Sequence, residues 1–245
     1  MNEILKEIDK LQEEINSYRP LSTGILKQLK EYYRVGLTYT SNALEGNSLT
    51  ETETKVVLED GITIGGKPIK DYYEALGHSE AYDYIHKLAK GGKGFTENDI
   101  KKLHKFFYHR IDETRAGKYR KEKVFISGSK YSLLSPEKIP ELMSGFMNRV
   151  NDLDKKNHPV EYSALVHKEI AFIHPFIDGN GRVARLSMNL ILLQKGYCIA
   201  IIPPILRRDY IQALEKAHID DKDFKEFIAG AVRETQKDYL RLLRA

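Results

Sequence analysis

Apolar residues recur at spacings of three and four along nearly the whole chain, a period that selects helices. Ile4, Ile8, Leu11 and Ile15 mark one face of a first helix, and Pro20 stops it. Leu21-Ser22-Thr23 can open a second helix reading from 24 to 44, with Gly46-Asn47 as its C-terminal stop. Thr50 with Glu53 three residues on has the form of a reciprocal N-cap, so a third helix is expected there. Further helices are expected at about 70–90, 97–108, 137–154, 159–173, 181–195, 207–216 and 221–243. Between them, Gly61 to Pro68 reads as a short hairpin or loop, and Gly91-Gly92-Lys93-Gly94 as a break.

One segment departs from this period. Val124-Phe125-Ile126 and Tyr131-Ser132-Leu133-Leu134 flank the polar turn Ser127-Gly128-Ser129-Lys130, which predicts a small β-hairpin ending at Ser135-Pro136. The expected architecture is therefore all-α with one exposed β-hairpin. An N-terminal helical lobe is expected over 1–95 and a core with its C-terminal helices over 96–245.

Composition excludes several classes. No apolar run approaches the roughly 18 residues of a membrane span; the stretch around Leu190 to Leu193 is broken by Gln194 and Lys195. The N-terminus alternates charged and apolar residues, unlike a signal peptide. The single cysteine, Cys198, excludes an internal disulfide, and with the rest favours a reducing cytoplasm and no membrane partner. A net charge of +4 is too mild for a nucleic-acid surface. Arg233, Lys237, Arg241 and Arg244, at helical spacings, read as a solvated face or a partner contact rather than a DNA reader.

The chemistry concentrates in one run, His174-Pro175-Phe176-Ile177-Asp178-Gly179-Asn180-Gly181-Arg182-Val183-Ala184-Arg185. Pro175 cannot continue the preceding helix and disfavours the α region for His174. The turn from Asp178 to Gly181 then leads into a new helix. Its glycines let backbone N–H groups approach an anion, and the helix start adds partial positive charge. Arg182 and Arg185, three apart, share one face of the first turn, where cations are unfavourable unless an anion bridges them. Histidine is a natural general base near neutral pH. Asp178 suits Mg²⁺, which is commonly held by one or two carboxylates plus phosphate oxygens.

The run fits the Fic family motif H-x-F-x-[DE]-G-N-G-R-x-x-R at every defined position, so the chain resembles a Fic-domain protein of the Fic/Doc superfamily over most of 35–200. The resemblance implies a Fic-type helical core and transfer of AMP from ATP to a Tyr, Thr or Ser hydroxyl of a target protein. It implies His174 as the base, Asp178 as the Mg²⁺ ligand, and Gly179, Asn180 and Gly181 as an anion hole. Arg182 would contact the β-phosphate and Arg185 the γ-phosphate. Doc-like relatives, which transfer phosphoryl groups, carry lysine where Gly181 stands, so nucleotidyl transfer is favoured. The segment Val124, Phe125, Ile126, Ser127 and Gly128, preceded by Gly117-Lys118-Tyr119-Arg120, resembles the flap on which a target strand docks.

A second motif would switch the first off. Ser41-Asn42-Ala43-Leu44-Glu45-Gly46 resembles the inhibitory motif [ST]-x-x-x-E-[GN]. Glu45 paired bidentately with Arg185 would occupy the guanidinium that a γ-phosphate needs, with Ser41 fixing the helix at the same site. The expectation is a self-inhibited adenylyltransferase. The alternative is removal of AMP, with Glu45 positioning water, or both activities in one enzyme. A binding module with a vestigial core fits a complete motif poorly. Self-modification among the 15 tyrosines is open, as is a homo-oligomer; the target protein is not named by the sequence.

Overall fold

The computed structural model describes residues 1–91, 95–126 and 128–244. The expected break at Gly92, Lys93 and Gly94, and Ser127 of the expected hairpin, lie outside them. Ten α-helices follow in order: α1 (Asn2–Ser17), α2 (Thr23–Ala43), α3 (Glu51–Glu59), α4 (Ile69–Lys90), α5 (Glu97–Tyr108), α6 (Ile139–Lys156), α7 (Pro159–Ile173), α8 (Asn180–Gln194), α9 (Arg207–Lys216) and α10 (Lys222–Arg244). Short 3₁₀ turns at Pro136–Lys138 and Pro204–Leu206 lead into α6 and α9.

Local chemistry fixes the helix starts. Ser22 accepts from the Ile25 N–H at the head of α2. Thr50 and Glu53 form the reciprocal cap of α3, and Thr96 and Asp99 do the same for α5. Proline at the first position opens α7.

Helices α7 and α8 occupy the centre. Val183, Leu186, Met188, Leu190 and Leu192 are all fully buried, so α8 is covered on every side. One apolar cluster joins Leu37, Tyr82 and Ile85 to Leu103, Phe107, Phe146 and Phe176. A second packs Ile8, Met188, Phe224, Ile228 and Val232 together. Each such side chain contributes about 1.5–3 kcal/mol by leaving water. The first and last helices adjoin, with Gln236 donating to the Ile8 carbonyl and to Gln12. The loop between α7 and α8 therefore sits on a densely packed platform.

The expected β-hairpin at 124–134 is not formed: the described residues contain no strand. Its backbone groups find other partners. Lys130 N–H donates to Glu215 on α9, Tyr131 N–H to Ser129 Oγ, and the Leu134 carbonyl accepts from Arg120. An isolated two-stranded hairpin is marginal in water, and here side chains outcompete its ladder. Residues 61–68 are likewise a loop.

Candidate functional site

The site is built where α7 stops and α8 starts. His174 follows the last turn of α7 in the left-handed region (φ 51°, ψ 59°), the only described non-glycine with positive φ. Pro175 removes the ordinary helical alternative for it, as the sequence implies. Arg120, almost fully buried, holds the strained turn: its Nε donates to the His174 carbonyl and its N–H to the Pro175 carbonyl. His174 Nδ1 lies 3.2 Å from the Ala171 carbonyl, which can only accept, so Nδ1 carries the proton and Nε2 is the free basic nitrogen. Burial, more than any neighbouring charge, lowers the pKa of His174, keeping it neutral and base-competent at neutral pH.

The turn into α8 is fixed by Asn180 and Gly179. Asn180 Oδ1 accepts from the Phe176 N–H at 2.8 Å and its Nδ2 donates to the Phe176 carbonyl at 2.9 Å. That side chain is spent on closing the loop, so only its backbone faces any anion. Gly179 has φ +76°, and a Cβ there would stand 2.0 Å from the Phe107 ring. Beneath, His104 stacks on Phe176 at 3.9 Å. It accepts from the Gly117 N–H at Nδ1 and donates from Nε2 to the Asp178 carbonyl.

The two arginines are held differently. Arg182 is 1 % exposed, pairs with Glu74 of α4 at 2.7 Å, lies over the Phe107 ring and donates to Asn42 Oδ1. Arg185 is equally buried, and its partners come mainly from the end of α2 and the turn after it: Nε donates to Ser41 Oγ (3.0 Å), and Nη2 to the Ser41 carbonyl and Glu45 Oε1 (both 2.8 Å). Its Nη1 donates to Tyr210 at 3.3 Å. The Glu45 pair is single-pronged rather than the expected bidentate fork. Burial would raise the Glu45 pKa, but Arg185 and then Arg182 outweigh it and hold the carboxyl ionised. Glu45 fits because residue 181 is glycine: a Cβ there would be 2.3 Å from Glu45 Oε1.

Asp178 is the remaining charged group of the loop. Its Oδ1 accepts from the Gly179 N–H at 2.6 Å, and Lys70 stands 3.4 Å from Oδ2. Burial raises its pKa, yet Arg182 and Lys70 together leave it lowered, so it is ionised. An ionised, half-exposed carboxylate beside backbone N–H groups fits Mg²⁺ held jointly with phosphate oxygens. Of the expected flap, Phe125 is 92 % exposed, while Ile126, Tyr131 and Leu134 face a cleft of about 320 Å³ closed by Phe172, Ile211 and Leu214.

Thus His174, Asp178, Gly179, Asn180, Gly181, Arg182, Arg185, Ser41 and Glu45 converge on one site. Sequence reading missed Glu74, Asn42, His104 and Tyr210. Glu74 had a legible signal. Asp71, Glu74 and His78 continue the buried stripe of Tyr82 and Ile85 at spacings of three and four, a polar run on a core-facing side. Tyr210 had none.

A helical core carrying a neutral histidine at one helix end and a glycine-lined helix start beside it is a geometry suited to holding an anion. The chain is a Fic-domain protein: residues 94–192 match the Fic/DOC family. It is 34% identical over 241 residues to a protein adenylyltransferase Fic of Nematostella vectensis, covering 97% of this chain and 56% of that one. The chain spans about half the length of the curated relatives it matches. Among solved structures, it resembles a Fic domain containing signaling protein from Bacteroides thetaiotaomicron (TM-score 0.90, 28% identity, 97% of this chain and 98% of that one). A segment of Fic-1 from C. elegans is similar too (TM-score 0.89, 28% identity, 99% and 72%).

Proposed function

We propose that this chain transfers AMP from ATP to a hydroxyl of a target protein and that Glu45 restrains the reaction. The supporting observation is the Arg185–Glu45 contact at 2.8 Å, which puts a carboxylate on the guanidinium that a γ-phosphate would need. His174 Nε2 takes the proton of the target hydroxyl as its oxygen attacks the α-phosphorus. The bond from that phosphorus to the bridging oxygen breaks, and pyrophosphate leaves. The backbone of Gly179, Asn180 and Gly181 would line the phosphates, the Gly179 N–H being shared with Asp178 Oδ1, and Arg182 would contact the β-phosphate. Asp178 would hold Mg²⁺, which when bound neutralises charge developing on the phosphate oxygens. The cleft lined by Ile126, Tyr131, Leu134 and Phe172 would offer an apolar slot for the base. No helix among the described residues is long and apolar enough to cross a membrane, and we assign the reaction to a reducing cytoplasm on the strength of the buried, unpaired Cys198.

With Glu45 seated, ATP can enter only with its phosphates displaced, and in-line attack tolerates little displacement. Transfer of labelled AMP by Glu45→Gly should exceed that by the unmodified chain, and equal rates would remove the restraint. A second reading is favoured by one feature: Glu45 is ionised and about a third exposed, a carboxylate able to position water for AMP removal. The same variant separates the readings, because it should raise transfer and abolish removal.

A further inference from the structure

The proposed exchange of Glu45 for phosphate leaves Arg185 with Ser41 at Nε and Nη2 and, on its other side, with Tyr210 at Nη1. Ser41, in the last turn of α2, and Glu45, in the turn just after it, approach the guanidinium from one side, whereas Tyr210 approaches Nη1 from α9. Tyr210 is 3 % exposed, and its hydroxyl lies 2.8 Å from Nε2 of His167, a fully buried residue of α7. A guanidinium has no acceptor, so Arg185 donates to the phenol oxygen, which leaves the phenol proton to donate to His167 Nε2. In that arrangement His167 is neutral with its proton on Nδ1, a buried atom with no hydrogen-bond partner among the described residues. Burial, then the Arg185 charge, lowers its pKa to about 3, in agreement.

We propose that Tyr210, oriented by His167, is a positioning residue that aims the Arg185 guanidinium at the terminal phosphate of the nucleotide. The argument rests on the reading of Arg185 as the γ-phosphate ligand. Glu45 is an anion and competes with phosphate for Nη2. Tyr210 is a neutral acceptor, does not compete, and holds Nη1 whichever anion occupies the other side. A buried arginine with a free Nη1 would instead rotate away or bind an anion with its remaining donors misdirected. Because Tyr210 acts on one guanidinium, its loss should be felt by a ligand with a γ-phosphate and not by one without it.

The test measures binding of ATP and of AMP, each with Mg²⁺, to Glu45→Gly and to the same variant carrying Tyr210→Phe. Loss of one hydrogen bond to a charged group predicts ATP binding weakened by roughly tenfold or more, with AMP binding unchanged. His167→Leu should reproduce the loss and His167→Gln, whose side-chain oxygen can accept the phenol proton, should restore it. These two variants also carry the test if Tyr210→Phe fails to fold. Equal weakening of ATP and AMP, or no weakening of either, overturns the proposal. Arg185→Ala serves as the control for the underlying reading. If it leaves the preference for ATP over AMP intact, the γ-phosphate assignment fails. If it abolishes that preference while Tyr210→Phe keeps it, only the positioning role fails.

Discussion

Residues 174–181 and the segment holding Ile126 and Tyr131 to Leu134 both lie at the C-terminal end of α7, and they are held in opposite ways. In the first, nearly every polar group is engaged: Asn180 spans the loop, His104 supports Asp178 from below, and Arg120 clamps the turn at His174 and Pro175. In the second, a few side-chain contacts substitute for a ladder and Phe125 stands in solvent. Under the proposed function the first segment would have to place a base and an anion hole to within a fraction of an ångström. The second would only have to meet an extended partner whose sequence varies. Side-chain hydrogen bonds are dense in the first segment and sparse in the second.

The largest test of that contrast is chemical. In the Glu45→Gly background, His174→Ala should lower AMP transfer by about 10²–10⁴-fold while thermal melting stays within a few degrees. Undiminished transfer would show that the most constrained residue of the loop is not the base.

Acid should attack the rigid side next. Burial, the leading cause for each, depresses the pKa of His78, His104 and His167 to about 3. The unfolded chain titrates near 6.5, so it binds protons that the folded state refuses. The stability these neutral histidines represent is complete above about pH 6.5 and declines as pH falls from there towards 3. The loss is on the order of 1 kcal/mol per histidine per pH unit. Melting temperatures that stay flat between pH 7 and pH 4.5 would contradict the neutral, buried assignment.

The glycines give a paired comparison of smaller size. Gly179 and Gly128 have nearly the same positive φ, +76° and +82°, but a Cβ at 179 meets the Phe107 ring at 2.0 Å and one at 128 meets nothing within 4 Å. Gly179→Ala should therefore destabilise by about 1–3 kcal/mol through overpacking, in addition to backbone strain common to both. Denaturant melts that gave equal losses at the two positions would mean that packing does not distinguish the segments.

How much of this was legible depended on the range of the interaction. Helix periods, the Thr50–Glu53 cap and the stop at Pro175 are local, and the sequence carries them directly. The convergence of Glu45 with Arg185 came from paired motifs, since a sequence separation of 140 leaves no local trace. Tyr210 reaches Arg185 from α9 by packing that no spacing rule encodes, whereas Glu74, which reaches Arg182 from α4, lies on a polar run that continues a core-facing stripe. The hairpin was misread because two short apolar-rich runs about a polar turn report a preference for extended backbone, and pairing additionally needs a matching ladder of hydrogen bonds. Here Arg120 and Glu215 took the backbone groups that a partner strand would have used.

The smallest effect on the protein itself should come from Phe125. At 92 % exposure, its replacement by alanine should change stability by no more than about 0.5 kcal/mol. Its ring would nonetheless leave water when a target docks, a contribution of roughly 1.5–3 kcal/mol to that encounter alone. In the Glu45→Gly background, Phe125→Ala should therefore raise KM for the protein target and leave KM for ATP where it was. An equal shift in both constants would tie Phe125 to the nucleotide side and dissolve the division between a rigid chemical segment and an adaptable docking one. A shift confined to the target would place the boundary between the two at Arg120, the one side chain that binds His174 and Leu134 at once.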